Sequence, residues 1–417
     1  VAALLARRRA LLGPAYRTFY ERPVEIVRGE GTRLFDRDGV EYLDAYNNVP
    51  CVGHAHPRVT TAIAAQAALL NTHTRYPSEP ILDYAERLLG GLGAGFGHVM
   101  FTCTGSEAND LALRIARSRT GAEGVVVTAN AYHGVTAAVA AASPSLGAAV
   151  APGPSVRTIA APDPAATDPT AEGERLAAEL RAAVVELDAE GIGFAAFLAD
   201  TIFSSDGIVA DPAGFLRPLA DAVRECGGLF VADEVQAGFA RSGEAFWTFR
   251  RHGIEPDLVT MGKPMGNGMP IAAVAGPAEL LDDFGGEVRY FNTFGGSSVS
   301  IAAATAVLDV IEEEGLQENA AAVGAYLRAG LEEAARRSPL LGRVRGVGLF
   351  LGVDVEVGDG DAARSAARIV EGLRDRRVLI SVTGAGADTL KIRPPLVFSR
   401  ADADRLLSAL GDVLDEP

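Results

Sequence analysis

The stretch from Val231 to Gly268 constrains this chain most, and reads VADEVQAGFARSGEAFWTFRRHGIEPDLVTMGKPMGNG. A short apolar run, Leu229 to Ala232, ends on the acids Asp233 and Glu234. A second, Leu258 to Met261, ends on Gly262, Lys263 and Pro264. Both runs read as β-strands. They deliver an acid and an amine at their C-terminal ends, where open α/β sheets place ligand chemistry.

The amine stands out by composition. Of 38 Lys plus Arg residues only two, Lys263 and Lys391, are lysine. Persistence by chance is an alternative that weighs more on Lys391 than on Lys263. Arginine stays protonated in proteins and forms no imine, whereas a desolvated lysine can. A lysine that holds an aldehyde, with a carboxylate to keep a pyridine nitrogen protonated, is what a pyridoxal phosphate site needs. The region is not a P-loop, because Asp257 and Pro264 break that pattern.

A length of 417 residues predicts two or three domains. A net charge of −16 argues against nucleic acid or an anionic membrane as partner. Cys51, Cys103 and Cys226 are scattered and lack metal-like spacing, which points to a reducing, cytoplasmic compartment. No apolar run reaches the length of a membrane span. VAALLARRRALLGP predicts an amphipathic helix stopping near Gly13 and Pro14, without a secretory h-region.

Residues 21 to 44 alternate around Gly31 and Asp38-Gly39 and predict a small antiparallel meander. His54 and His56 follow in a polar loop, where packing outweighs metal binding. Helices are expected over Pro57–Leu70 and Glu79–Leu89. GGLGAGFG fails the dinucleotide fingerprint on spacing, and it precedes a strand instead of following one. Val99–Cys103 reads as a strand, Thr104-Gly105-Ser106 as a turn and SEANDLALRIARSR as a helix. That arrangement can bind an anion or simply cap the helix, and the residues alone leave both open. Tyr132 follows the strand Val125–Thr128 and could stack on a planar ring. Residues 151–170 read as a surface loop, Glu172–Glu190 as a helix, and Ala195–Ala199 as a strand ending on Asp200. DPAGFLRPLADAVREC predicts a helix, Ala272–Ala275 a strand, Arg289–Ser300 a polar glycine loop and 299–334 helix. GRVRGVGLFLGVDV, a helix near Ala362–Arg374, VLISV and LKIRPPLVF form a second α+β unit.

With TGSEANDLALRIAR, TMGKPMGNG, YFNTFGGSSVS and VRGVGLFLGVD in place, the chain resembles the class III (ω-amino-acid type) aminotransferases almost end to end. Within that class it is similar to the branch of ethanolamine-phosphate and phosphohydroxylysine phospho-lyases. The resemblance implies an α/β fold of the aspartate aminotransferase-like fold type I. Its large domain, residues 47–304, would carry a mostly parallel sheet; a small α+β domain would form from both chain ends, 1–46 and 305–417. It implies pyridoxal 5′-phosphate as cofactor and a homodimer with shared active sites. Lys263 would be the Schiff-base lysine and the base at Cα, and Asp233 would pair with the ring nitrogen. Val235 and Tyr132 would cover the two ring faces, and Gln236 would approach the phenolic oxygen. Gly105 and Ser106 would hold the phosphate, together with Thr293 reaching in from the partner subunit. Tyr46, Lys391 and Arg393 are the substrate-side candidates.

The chain departs from the family's usual pattern at Asp200-Thr201 and at Met269. Lys391 stands where many ω-aminotransferases carry a carboxylate-binding arginine, which puts a bidentate clamp in doubt. Three functions compete. The first expected is transamination between a primary amine or amino acid and a keto acid or aldehyde. The alternative is elimination of phosphate from an O-phosphorylated amino alcohol. A non-catalytic binding protein ranks last.

Overall fold

The computed structural model describes residues 1–357 and 360–416. An N-terminal helix, Ala2–Leu12, ends at Gly13 as expected, yet buries none of its residues. The amphipathic expectation therefore fails in this chain: Leu4, Leu11 and Leu12 stand exposed, with no apolar face turned onto the core. The meander follows as β1 (Ile26–Glu30), β2 (Arg33–Asp36) and β3 (Glu41–Asp44), antiparallel in sequence order.

The central sheet is built from β4 (His98–Thr102), β5 (Gly124–Thr128), β6 (Val156–Ile159), β7 (Phe194–Asp200), β8 (Leu229–Asp233), β9 (Leu258–Met261) and β10 (Ala272–Gly276). Its strand order is β4-β10-β9-β8-β7-β5-β6. All pairs from β9 to β6 are parallel, and β10 runs antiparallel to both of its neighbours. Residues of β5, β7, β9 and β10 are buried throughout. That explains why these strands read as unbroken apolar runs: a sheet covered on both faces has no wet side to alternate with. β6 corrects the sequence reading of 151–170 as loop. Its four residues lie between prolines and glycines on the sheet edge, too short to show a period.

The helical region 299–334 is two helices, Ser298–Glu313 and Leu316–Arg337, split at Gly315, whose φ of 61° is left-handed. The C-terminal part adds β11 (Leu341–Val347), β12 (Phe350–Val355), β13 (Val378–Leu379), β14 (Ser381–Thr383) and β15 (Thr389–Ile392). β11, β12, β15 and β14 make one antiparallel sheet, while β13 joins the N-terminal meander beside β3. Both chain ends thus meet in one sheet. The register of the central sheet sets Asp200 opposite Asp233 and Asp233 opposite Thr260. Three polar residues therefore share one line at the C-terminal edge, with Lys263 in the turn just beyond.

Candidate active site

A cavity of about 200 Å³ opens at that edge, lined by Gly105, Ser106, Tyr132, Asp233, Gln236 and Lys263 among others. Its floor is the start of helix Gly105–Thr120. Thr104 is the N-cap: its hydroxyl accepts from Glu107 N at 3.2 Å, and Glu107 Oε2 accepts from Thr104 N at 2.9 Å. Of the two readings left open by the residues, the cap is seen directly. Thr104 caps, and Gly105 and Ser106 occupy the first helical positions, whose N–H groups have no partner inside a helix.

Neither of two glycines here can carry a side chain. A Cβ on Gly105 would lie 2.7 Å from Val235 Cγ1, and one on Gly134 would lie 2.4 Å from Ser106 Oγ. Gly134 also has a φ of 142°, a left-handed value that glycine tolerates best. The backbone is therefore left bare around the helix start.

Lys263 opens a 3-10 turn with a φ of 33°, an uncommon value for a side-chain-bearing residue. Burial, and secondarily the Arg393 charge, push its amine down to about 8, against the raising effect of Asp233 and Asp200. Asp233, at the end of β8, is 4% exposed. Its Oδ2 accepts from His133 Nδ1 at 2.7 Å and from Asn109 Nδ2 at 2.8 Å, and its Oδ1 accepts from Val235 N at 3.1 Å. Asn109 is itself fixed, since its Oδ1 accepts from Thr260 Oγ1 at 2.6 Å. Every partner of the Asp233 carboxylate is a donor, so the group is held as an acceptor facing the cavity. Glu234, its neighbour, points into the core instead. Burial pushes its carboxyl up to about 7, and it accepts from Thr201 Oγ1 and from the N–H groups of Thr248 and Phe249.

Seven of the expected site residues line this one cavity: Gly105, Ser106, Tyr132, Asp233, Val235, Gln236 and Lys263. Tyr46, Lys391 and Arg393 are not among the lining residues but stand behind it. Arg393 Nη1 donates to Gln236 Oε1 at 2.5 Å and to Asn48 Oδ1 at 2.8 Å, with its guanidinium 4.5 Å from the Tyr46 ring centroid. Lys391 Nζ donates to Ser204 O at 3.2 Å, and burial holds this amine well below its ordinary range. Thr293 is exposed and does not reach the cavity of its own chain. Sequence reasoning passed over His133, Asn109 and Ser204. His133 had a signal in its place after β5. Asn109 and Ser204 had none, because Asp233 and Thr260, which Asn109 meets, and Gln236, which Ser204 meets, lie far away along the chain.

An amine of lowered basicity, a fixed acceptor and a bare helix start together suit a phosphorylated aldehyde whose ring bears a protonated nitrogen. The protein is thus of the pyridoxal-phosphate-dependent class. Residues 16–414 match the family described as Aminotransferase class-III, and the chain belongs to that family. It is 38% identical to alanine–glyoxylate aminotransferase 2-like of Drosophila melanogaster, over 97% of this chain and 85% of that protein. It is 35% identical to ethanolamine-phosphate phospho-lyase homolog 1 of Caenorhabditis elegans, over 99% of this chain and 93% of the other. Among solved structures, a phospholyase from Arthrobacter in complex with phosphoethanolamine superposes with a TM-score of 0.95 at 45% identity, covering 99% of this chain and 100% of that one. An amine transaminase from an uncultivated Pseudomonas species in PLP-bound form gives a TM-score of 0.86 at 28% identity, with 97% of each chain covered. The fold is that of fold type I enzymes, and the cofactor is pyridoxal 5′-phosphate.

Proposed function

We propose that the chain moves an amino group between a primary amine or amino acid and a keto acid or aldehyde, with Lys263 carrying the proton at the amine-bearing carbon. The observation that carries this reading is the Lys263 amine, lowered to about 8, in one cavity with Asp233. Bound pyridoxal phosphate supplies an electron sink for the charge left when that carbon loses its proton. Lys263 would hold its aldehyde and then, released by the substrate amine, take the proton and return it. Asp233, oriented by His133 and Asn109, would keep the ring nitrogen protonated. Gly105 and Ser106 would receive the phosphate at the helix start, and Val235 and Tyr132 would exclude water from the two ring faces.

Phosphate elimination from an O-phosphorylated amino alcohol is a second reading, favoured by two observations. By the resemblance Lys391 stands where many ω-aminotransferases carry a carboxylate-binding arginine, and the Arthrobacter phospholyase is 45% identical to this chain. Both readings begin with the same proton removal by Lys263, so one panel separates them. O-phosphoethanolamine is incubated alone, and several amine donors are incubated with pyruvate, while released phosphate and alanine are read in parallel. Alanine formed at the expense of the amine supports the first reading. Phosphate released without alanine assigns elimination instead.

The same reading extends to assembly and location. We place the boundaries of the large unit at 47 and 304, in keeping with the separate sheets on either side. The active form is a homodimer in which Thr293 completes the partner's phosphate site, a reading supported by its exposed loop with Phe294 70% accessible. Among the described residues no helix is long and apolar enough to cross a membrane. Cys51, Cys103 and Cys226 are free thiols, which supports a reducing compartment, the cytoplasm in our reading.

A further inference from the structure

Behind the cavity, Arg393 is 7% exposed and makes no hydrogen bond to a carboxylate among the described residues. A buried charge without a counter-charge is costly. The nearest route to one runs through two side chains. Arg393 can only donate, so the Gln236 amide must turn its oxygen to Nη1, at 2.5 Å. The Gln236 Nε2 then donates to Ser204 Oγ at 2.6 Å. That leaves the Ser204 hydroxyl proton for Asp200 Oδ2, with which it forms a short hydrogen bond. Asp200 accepts at every contact, including Ile202 N and Ser204 N, both at 3.0 Å. A donor-only group at one end and an acceptor at the other fix the direction of every bond between, and hydrogen bonds aligned in this way strengthen one another.

The backbone of Ser204 is held as firmly as its hydroxyl. It lies in a loop with positive φ at Phe203 (52°) and Ile208 (65°). Thr383 Oγ1 donates to its carbonyl at 2.7 Å and Lys391 Nζ at 3.2 Å, both from the C-terminal sheet. Ser204 is fully buried, and Asp200 and Gln236 both line the cavity.

We infer that Ser204 is a positioning residue: Arg393 sets which way round the Gln236 amide lies, and the Ser204 hydroxyl, joining Nε2 to Asp200, holds that nitrogen in place and links Arg393 to the Asp200 carboxylate through hydrogen bonds. With Nε2 turned to Ser204, the second N–H on that nitrogen is the amide's remaining donor toward a bound group. Loss of the hydroxyl leaves Nε2 without that acceptor, so its remaining N–H is no longer held in place toward the cavity. The inference rests on pyridoxal phosphate occupying this cavity. The other ionisable groups around it are Lys263, Lys391, Asp206, Asp233, Glu234, His133 and Tyr132, none of which hydrogen-bonds the Ser204 hydroxyl among the described residues.

The test is a pH titration of the visible absorbance of the holoenzyme. Ser204→Ala loosens the donor that would face the phenolic oxygen of the bound cofactor, so the negative charge there is less well stabilised, the bound proton is held more tightly and the midpoint rises by roughly half a unit or more. Ser204→Thr keeps the hydroxyl and restores the wild-type midpoint. Should Ser204→Ala not fold, Ser204→Cys, of similar size and a weak donor, reads the same shift. A folded, cofactor-loaded Ala or Cys variant with the wild-type midpoint overturns the inference. Wild-type protein without any visible band after loading would instead overturn the assignment of the cavity.

Discussion

Burial and a guanidinium act together on Lys263, lowering its amine from 10.5 to about 8. A depressed lysine pKa means the neutral, nucleophilic form is reached at lower pH. At pH 7 about one amine in ten is neutral, against about one in 3,000 for an ordinary lysine. The rate at which the cofactor-free protein takes up pyridoxal phosphate should therefore climb with pH, reach half its maximum near pH 8 and level off about one unit above. A rate still climbing between pH 9 and 10 would show an unperturbed amine. At Asp233, three donors already surround the carboxylate, and each would meet an amide nitrogen poorly. Asp233→Asn should retain bound cofactor through Lys263 and the helix start, yet lose activity by roughly 10²-fold, about 3 kcal/mol of barrier. Reduced stability with unchanged turnover per folded molecule would make Asp233 a strand-end cap only. The placement of both residues at one cavity was legible in the sequence, because Asp233 ends one apolar run and Lys263 lies just past another. Their supports were not: His133 and Asp233 lie 2.7 Å apart but a hundred residues apart in the chain.

At the scale of elements, the site is the meeting of β8, the turn after β9 and the first turn of helix Gly105–Thr120. The close approach of that helix to Val235 leaves no room for a methyl group, with a clash at 2.7 Å. Gly105→Ala should force the helix start outward and weaken cofactor retention by about tenfold, near 1.4 kcal/mol, measured as cofactor loss on dialysis. Unchanged retention would mean the phosphate lies elsewhere. Strands buried on both faces announced themselves in the sequence, and so did the helix after Thr104, through its period. β6 did not, since four residues between Pro-rich flanks show neither period nor length. The N-terminal helix was placed correctly, but its predicted apolar face has nothing to bury against in this chain.

Over the whole molecule, both chain ends share a sheet and Lys391 and Arg393 reach from the C-terminal part to the back of the cavity. Those long-range pairs could be anticipated only by resemblance. Thr293 belongs to the same scale, because it is exposed in its own chain. Mixing Lys263→Ala with Thr293→Ala protein should restore activity, since a hybrid dimer regains one site with both residues intact. No recovery despite confirmed subunit exchange would count against shared sites. The most direct measurement concerns Lys263 itself. Borohydride reduction of the loaded protein, followed by peptide mapping, should place the cofactor label on the peptide containing Lys263. With only one other lysine in the chain, a label on Lys391 would contradict the assignment outright.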